Sequence, residues 1–199
     1  RTAIDAGKIT RDEVFVTTKV WPANYGFDKT IRSVKESAQK LGLKAIDLVM
    51  PHWPGVGTII DYAEDNLRLR RETWKALEEL KKQGVVKQIG VSNYNARHLG
   101  ELLGFAEVRP AASQFEIHPF NTRNDLVKLC QDEGIVVNAY SPLGGKGNPK
   151  SVTDTLLALP ELKKIGAAHG KTAAQAILRW HLQRGVTPIP KASREKKIR

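Results

Sequence analysis

Strand-like and helix-like runs alternate along this chain without exception, and that alternation constrains it most: strands joined through helices build a parallel sheet with its crossovers packed against it. Glu13 to Val20 is the first β-rich run, and Ile31, Val34, Ala38 and Leu41 then fall three and four apart in a helix from Asp28 to Leu41. Ala45 to His52 reads as a continuous apolar strand. A helix around Glu72 to Gln83 carries Trp74, Leu77 and Leu80 on one side, with Gly84 placed to end it. Strand Val85 to Val91, helix Asn95 to Phe105, strand Ala112 to Ile117, helix Asn124 to Glu133 and strand Ile135 to Tyr140 follow. Helices near Ser151 to His169 and Thr172 to Arg184 and a strand from Val186 to Pro190 finish a series of about six βα units.

Two α/β architectures fit such a series. A doubly wound dinucleotide fold would carry a GxGxxG turn after its first strand, and none is present. Polar and aromatic residues instead recur where strands end: Lys19 and Trp21, His52 and Trp53, Ser92 and Asn93, Gln114, Tyr140 and Ser141, and Lys191. In a (β/α)8 TIM barrel those ends converge on the face that holds the active site. The expected fold is therefore an α/β (β/α)8 barrel. Since about six units cannot close eight strands, residues 1–199 are read as part of a single barrel domain.

With 199 residues, 41% of them hydrophobic, the chain can bury one sizeable core. It has no apolar run of the roughly 18 residues that span a bilayer, and its first residues are charged where a leader would be apolar. A cytoplasmic location and no membrane partner are the expectations. Cys130 is the only cysteine, which excludes an internal disulfide; at helical spacing with Leu126 and Leu129 it reads as a buried small hydrophobe. The formal net charge of +11 raises the question of an anionic partner. Only the stretch from Lys191 to Arg199 is strongly biased, however, and elsewhere acids and bases alternate as on Glu78-Glu79-Leu80-Lys81-Lys82. Without interleaved aromatic and basic residues, nucleic acid is not an expected partner. His98, His169 and His181 lie on helices as surface or packing residues and His118 reads as structural; no HxxxH or HExxH spacing suggests a metal site. Trp74 and Trp180 read as core packing, and Ser92 and Asn93 are also competent to cap the helix after them.

Six segments in register, Thr17-Thr18-Lys19-Val20-Trp21, Asp47-Leu-Val-Met-Pro-His52-Trp53-Pro54-Gly55, Gly90-Val-Ser92-Asn93-Tyr94, Gln114-Phe-Glu-Ile-His118-Pro119, Ala139-Tyr140-Ser141-Pro142-Leu143-Gly144 and Ile189-Pro190-Lys191, resemble the aldo-keto reductases. The resemblance implies NADP(H)-dependent reduction of a small aldehyde or ketone. Hydride arriving at the carbonyl carbon builds charge on oxygen, which needs a positioned proton donor. In the family a tyrosine donates that proton, a lysine lowers its pKa, an aspartate pairs with the lysine and a histidine orients the carbonyl. Lys19 and His52 match the lysine and the histidine; the aspartate and tyrosine would precede Arg1, so the resemblance implies a single barrel domain truncated at both ends and residues 1–199 inactive by themselves.

By the same resemblance Ser92, Asn93 and Gln114 hold the nicotinamide carboxamide, Tyr140 stacks on the ring, Ser141 and Leu143 follow the pyrophosphate, and Lys191 meets the 2′-phosphate as a flexible point charge. After Lys191 the family often has serine, with an arginine six positions on, where this chain has Ala192 and Lys197; both positions are counted with the cofactor site. Gly145 and Gly147 replace the polar clasp of some members, which implies quicker cofactor release. Trp21 and Trp53 match walls of the substrate pocket. The family's commonest form is a monomer. A non-catalytic NADP(H)-binding regulatory or scaffold member of the same fold is the alternative, and an anion- or nucleic-acid-binding barrel, resting on charge alone, is a third reading.

Overall fold

The structure is a computed structural model and describes residues 2–57, 64–145 and 151–192. By its internal contacts the chain divides into two compact units, Arg1–Ala112 and Ser113–Arg199.

The first unit opens on a short helix α1 (Thr2–Asp5) and a 3-10 turn, and then forms strand β1 (Thr17–Val20), helix α2 (Phe27–Leu41), strand β2 (Ile46–Pro51) and helix α3 (Glu64–Lys82). Strands β3 (Val86–Ile89) and β4 (Val91–Ser92) and helix α4 (Ala96–Leu103) follow. The order β1-β2-β3 is parallel throughout, with Lys19 beside Met50 and Leu48 beside Gln88. Every residue of β2 is buried, as a strand covered on both faces requires.

Helix α2 starts after Gly26 and stops at Gly42, whose left-handed φ of 65° suits a residue without Cβ. It buries Thr30, Val34 and Ala38 and packs on α3, whereas Leu41, expected on the apolar stripe, is exposed at its end. Helix α3 begins eight residues before the sequence-based start at Glu72 and buries Trp74, Leu77 and Leu80 together with Asn66, Arg70 and Thr73. Its first turns are polar on the buried side, which hid them from a reading of apolar periodicity.

The strand expected from Val85 to Val91 is broken at Gly90. A Cβ there would lie 2.5 Å from the Ala112 carbonyl oxygen and 3.3 Å from the Met50 side chain. Asn95, not Ser92 or Asn93, caps α4, its side chain accepting the His98 N–H at 2.9 Å, so the capping reading of those two residues does not hold.

The second unit contains strand β5 (Ala112–Glu116, beginning on the last residue of the first unit), helix α5 (Asn124–Asp132), strand β6 (Val136–Tyr140), helices α6 (Thr153–Ala158), α7 (Pro160–Ala168) and α8 (Ala173–Gln183), and strand β7 (Val186–Pro188). The strands run in the order β5-β6-β7, and β6 pairs with β7 in parallel, Ala139 beside Pro188. Phe115, Ile117, Cys130, Val137, Ala139, Leu156 and Ile177 are buried. The Cys130 thiol is pushed up to about 11 by burial and is an inert packing group at neutral pH.

Thr172 caps α8 through a reciprocal pair with Gln175. Trp180, expected in the core, is half-buried, with the Arg184 guanidinium over its ring at 4.5 Å. His181 is wholly buried between the carbonyls of Ile177 and Ile117. No helix of the described residues is long and apolar enough to cross a membrane.

Candidate active site

In the first unit the strand ends bring Lys19, Trp21, His52, Trp53, Ser92 and Asn93 into one neighbourhood. Lys19 sits one residue before the end of β1, Trp21 just beyond it, and His52 and Trp53 just beyond β2. The His52 N–H continues the ladder to the Val20 carbonyl at 3.0 Å. Its own carbonyl accepts the Asn93 side-chain amide at 2.8 Å, and that amide also lies 3.3 Å from the Ser92 hydroxyl. Asn93 makes the reach from a left-handed φ of 62°, a conformation that asparagine tolerates better than most residues.

The His52 imidazole has Trp21 edge-on at a centroid distance of 5.1 Å and Trp53 stacked at 6.1 Å with 10° between planes. Trp21 and Trp53 are nonetheless 58% and 46% exposed. Two large indoles left in water against one histidine form an exposed aromatic surface of the kind on which small molecules bind. Burial lowers the His52 pKa below the ordinary histidine value, and the positive charge of Lys19 adds to the effect. Both effects favour the neutral imidazole. Half-burial alone lowers the Lys19 pKa.

The loop after His52 is tied down by three side chains. The Tyr25 hydroxyl accepts the Trp53 N–H at 2.9 Å and donates to the Trp53 carbonyl. Arg70 of α3 donates to the Pro54 carbonyl at 2.9 Å, and the Asn66 side chain accepts the Val56 N–H at 3.0 Å. None of Tyr25, Asn66 and Arg70 carries a strand-end signal in the sequence. Only the proximity of Tyr25 to Trp21 in the chain hinted at it.

In the second unit Gln114 lies on β5, Tyr140 ends β6 and Ser141 follows at a left-handed φ of 47°. Gln114 is buried and Tyr140, Ser141 and Leu143 are half-buried. Burial raises the Tyr140 phenol pKa, the Glu116 carboxylate adds to that, and Arg123 opposes it. Gly144 and Gly145 continue the turn with φ of 90° and 74°. A Cβ on Gly145 would meet the Ser141 hydroxyl at 3.3 Å and would approach Glu116, which the sequence reading did not single out although it stands inside the Gln114-to-His118 segment. Lys191 and Ala192 are exposed beyond β7. Lys197 and Gly147 lie outside the described residues.

The residue types in each unit are compatible with a nicotinamide dinucleotide: Ser92 and Asn93 in the first carry a hydroxyl and a carboxamide, and in the second Gln114 carries a carboxamide, Tyr140 a flat ring and Lys191 an exposed cation. His118 and Glu116 form a separate contact, with 3.7 Å between the imidazole Nε2 and the carboxylate.

The model of the aldo/keto reductase family matches residues 1–199. The uncharacterized oxidoreductase YtbE of Bacillus subtilis is 39% identical over 199 residues, which cover 100% of this chain and 64% of that protein. Glyoxal reductase of the same organism is 39% identical over 190 residues, 96% of this chain and 62% of that protein. The crystal structure of aldo-keto reductase AKR2E4 from Bombyx mori, in complex with NADP, superposes with a TM-score of 0.84 at 36% identity, over 99% of this chain and 64% of that one. The chain belongs to the aldo/keto reductase family, and its fold class is the α/β (β/α)8 barrel of that family. It spans less than two thirds of the length of the curated relatives named here.

Proposed function

We propose that the polypeptide containing residues 1–199 is an NADP(H)-dependent oxidoreductase that reduces small aldehydes or ketones to alcohols by direct hydride transfer. The observation that carries this reading is the placement of the His52 imidazole against Trp21 and Trp53, with its backbone tied to Val20 and Asn93 and Lys19 on the neighbouring strand end. Family membership, a relative named glyoxal reductase and a similar structure holding NADP support it.

Ser92, Asn93, Gln114, Tyr140, Ser141, Leu143, Lys191, Ala192 and Lys197 would hold the dinucleotide, which when bound supplies the hydride. The remaining work belongs to this chain's side chains. His52, favoured in its neutral form and fixed at its backbone by Val20 and Asn93, presents an N–H to the substrate carbonyl oxygen and stabilises the charge that grows there. A protonated imidazole would carry a second charge beside Lys19, so burial and Lys19 together favour the form that directs a hydrogen bond rather than a free cation. Lys19 places a positive charge beside the oxygen and favours the anionic form of any hydroxyl donor next to it. Trp21 and Trp53 offer flat apolar walls, which suit small and aromatic aldehydes. The same reading takes the chain as part of a single barrel domain in a cytoplasmic, monomeric enzyme whose partners are a small carbonyl compound and the cofactor.

The test is oxidation of NADPH by the purified polypeptide containing residues 1–199, with glyoxal and an aromatic aldehyde as substrates and NADH as competitor. Aldehyde-dependent turnover faster with NADPH than with NADH is the expected result. Tight NADPH binding without turnover would replace the reductase with a regulatory NADP(H)-binding protein, and absence of binding would overturn both.

A further inference from the structure

Trp21 and Trp53, the two walls around His52, come from different loops, and one buried side chain joins those loops. Tyr25 closes the short turn that follows Trp21: the Asn24 N–H bonds the Trp21 carbonyl at 2.8 Å and the Tyr25 N–H bonds the Pro22 carbonyl at 3.1 Å. The turn is anchored from behind, since the Gly26 N–H bonds the Thr73 hydroxyl of α3 at 3.0 Å and the Thr30 hydroxyl bonds the Asn24 carbonyl at 3.0 Å. Tyr25 is only 4% exposed, and its hydroxyl takes both polar backbone groups of Trp53, accepting from N–H and donating to C=O.

An amide and a carbonyl of one residue that both end on a single phenol oxygen are an arrangement that no secondary structure requires. With that oxygen removed, both groups lose their partner at a half-buried position, and the Trp53 peptide must turn toward water. The His52 carbonyl belongs to the same peptide as the Trp53 N–H, so a turn there also pulls on its bond to Asn93 and shifts His52. The Val20 bond fixes the N–H side of His52, Asn93 and the Tyr25 oxygen hold the two edges of the His52–Trp53 peptide between them, and Tyr25 also holds the Trp53 carbonyl of the next peptide.

We propose that Tyr25 is a positioning residue for the site: by binding both backbone groups of Trp53 it sets the spacing of the Trp21 and Trp53 walls and the direction of the His52 ring. Tyr25 does not itself touch the reacting atoms, and burial pushes its phenol well above the ordinary tyrosine value, so it acts as a neutral hydroxyl that donates and accepts at once. This rests on the reductase reading for its consequence in turnover, but not for the placement of His52.

The test is Tyr25→Phe, which keeps the ring and its packing and removes one oxygen. In the polypeptide containing residues 1–199, kcat/KM for the aldehyde should fall by about tenfold to a hundredfold, mostly through KM, with the NADPH dissociation constant unchanged. The His52 ring resonances, followed by NMR through a pH titration, should shift and titrate closer to an ordinary histidine. A folded variant with unaltered kcat/KM and unmoved His52 resonances overturns the proposal and leaves the reductase reading intact. Lack of turnover in the parent protein overturns that reading instead, and the His52 resonances then decide the role of Tyr25 alone. Should Tyr25→Phe fail to fold, amide hydrogen exchange of the parent decides: Trp53 should be protected well beyond an open loop, and a freely exchanging Trp53 amide refutes the proposal.

Discussion

Arg70 and Glu101 form a two-pronged ion pair between α3 and α4, with the guanidinium Nη2 2.8 and 2.9 Å from the two carboxylate oxygens and Nε 3.1 Å from one of them. Arg70 is 3% exposed and its remaining prong goes to the Pro54 carbonyl behind His52 and Trp53, so the pair links two helices to the candidate catalytic loop. Glu101→Gln leaves a buried guanidinium without its counter-charge and should destabilise the protein by about 3 kcal/mol, read as a lower midpoint in urea unfolding. Arg70→Met removes charge and loop anchor together; it should also raise KM for the aldehyde in the folded population, and an unchanged KM would count against a role for Arg70 in the site.

Asp47, buried at the start of β2, gathers Arg11 at 2.6 Å, Lys87 at 2.8 Å and the Val16 N–H at 2.8 Å. Burial opposes its charge, but the bonds from Lys87, Val16 and Arg11 prevail and hold its carboxyl at about 2, against 3.8 for a free aspartate. A folded-state value below the unfolded one means stability that is complete above about pH 4 and lost as pH falls through 2. Asp47→Asn should therefore lower stability at pH 7 by roughly 2 kcal/mol and flatten the acid limb between those values. Denaturant titrations at several pH values check both.

Lys19 depresses the His52 pKa only in second place, after burial. Lys19→Met should accordingly move the His52 titration up part of the way toward 6.5 without restoring it, as NMR of the ring protons will show. Turnover should fall by about two orders of magnitude or more in the same variant, because the positive charge beside the developing oxyanion is gone. A large loss of turnover with an unmoved His52 titration would show that the lysine does not act on the histidine.

Gly90 has no room for a methyl group, since a Cβ would lie 2.5 Å from the Ala112 carbonyl oxygen, which belongs to backbone that cannot yield cheaply. Gly90→Ala should cost about 2 kcal/mol or more in stability, and it should also disturb Ser92 and Asn93 just downstream and weaken NADPH binding. Thermal unfolding with and without NADPH separates the two effects.

Lys19, His52, Ser92, Asn93 and Tyr140 stand out in the sequence because each lies at or next to the end of an apolar run, whereas Gln114 lies in the middle of β5 and stands out only through the segment around it. Trp180 misled for the complementary reason. Its helical spacing with apolar neighbours is the same for a core position and for one covered by a guanidinium, and only the position of Arg184 distinguishes them.

The order of strands and helices, the parallel sheet and the residues offered at the strand ends follow from local pattern, because periodicity and strand termini are properties of neighbours in the chain. Tertiary structure decided what holds those residues still. The Tyr25 bonds to Trp53, the Asn93 bond to His52 and the Arg70 bond to Pro54 join positions 28, 41 and 16 residues apart. They involve backbone groups, which every residue possesses, so no choice of side chain at His52, Trp53 or Pro54 announces the partner that will reach them.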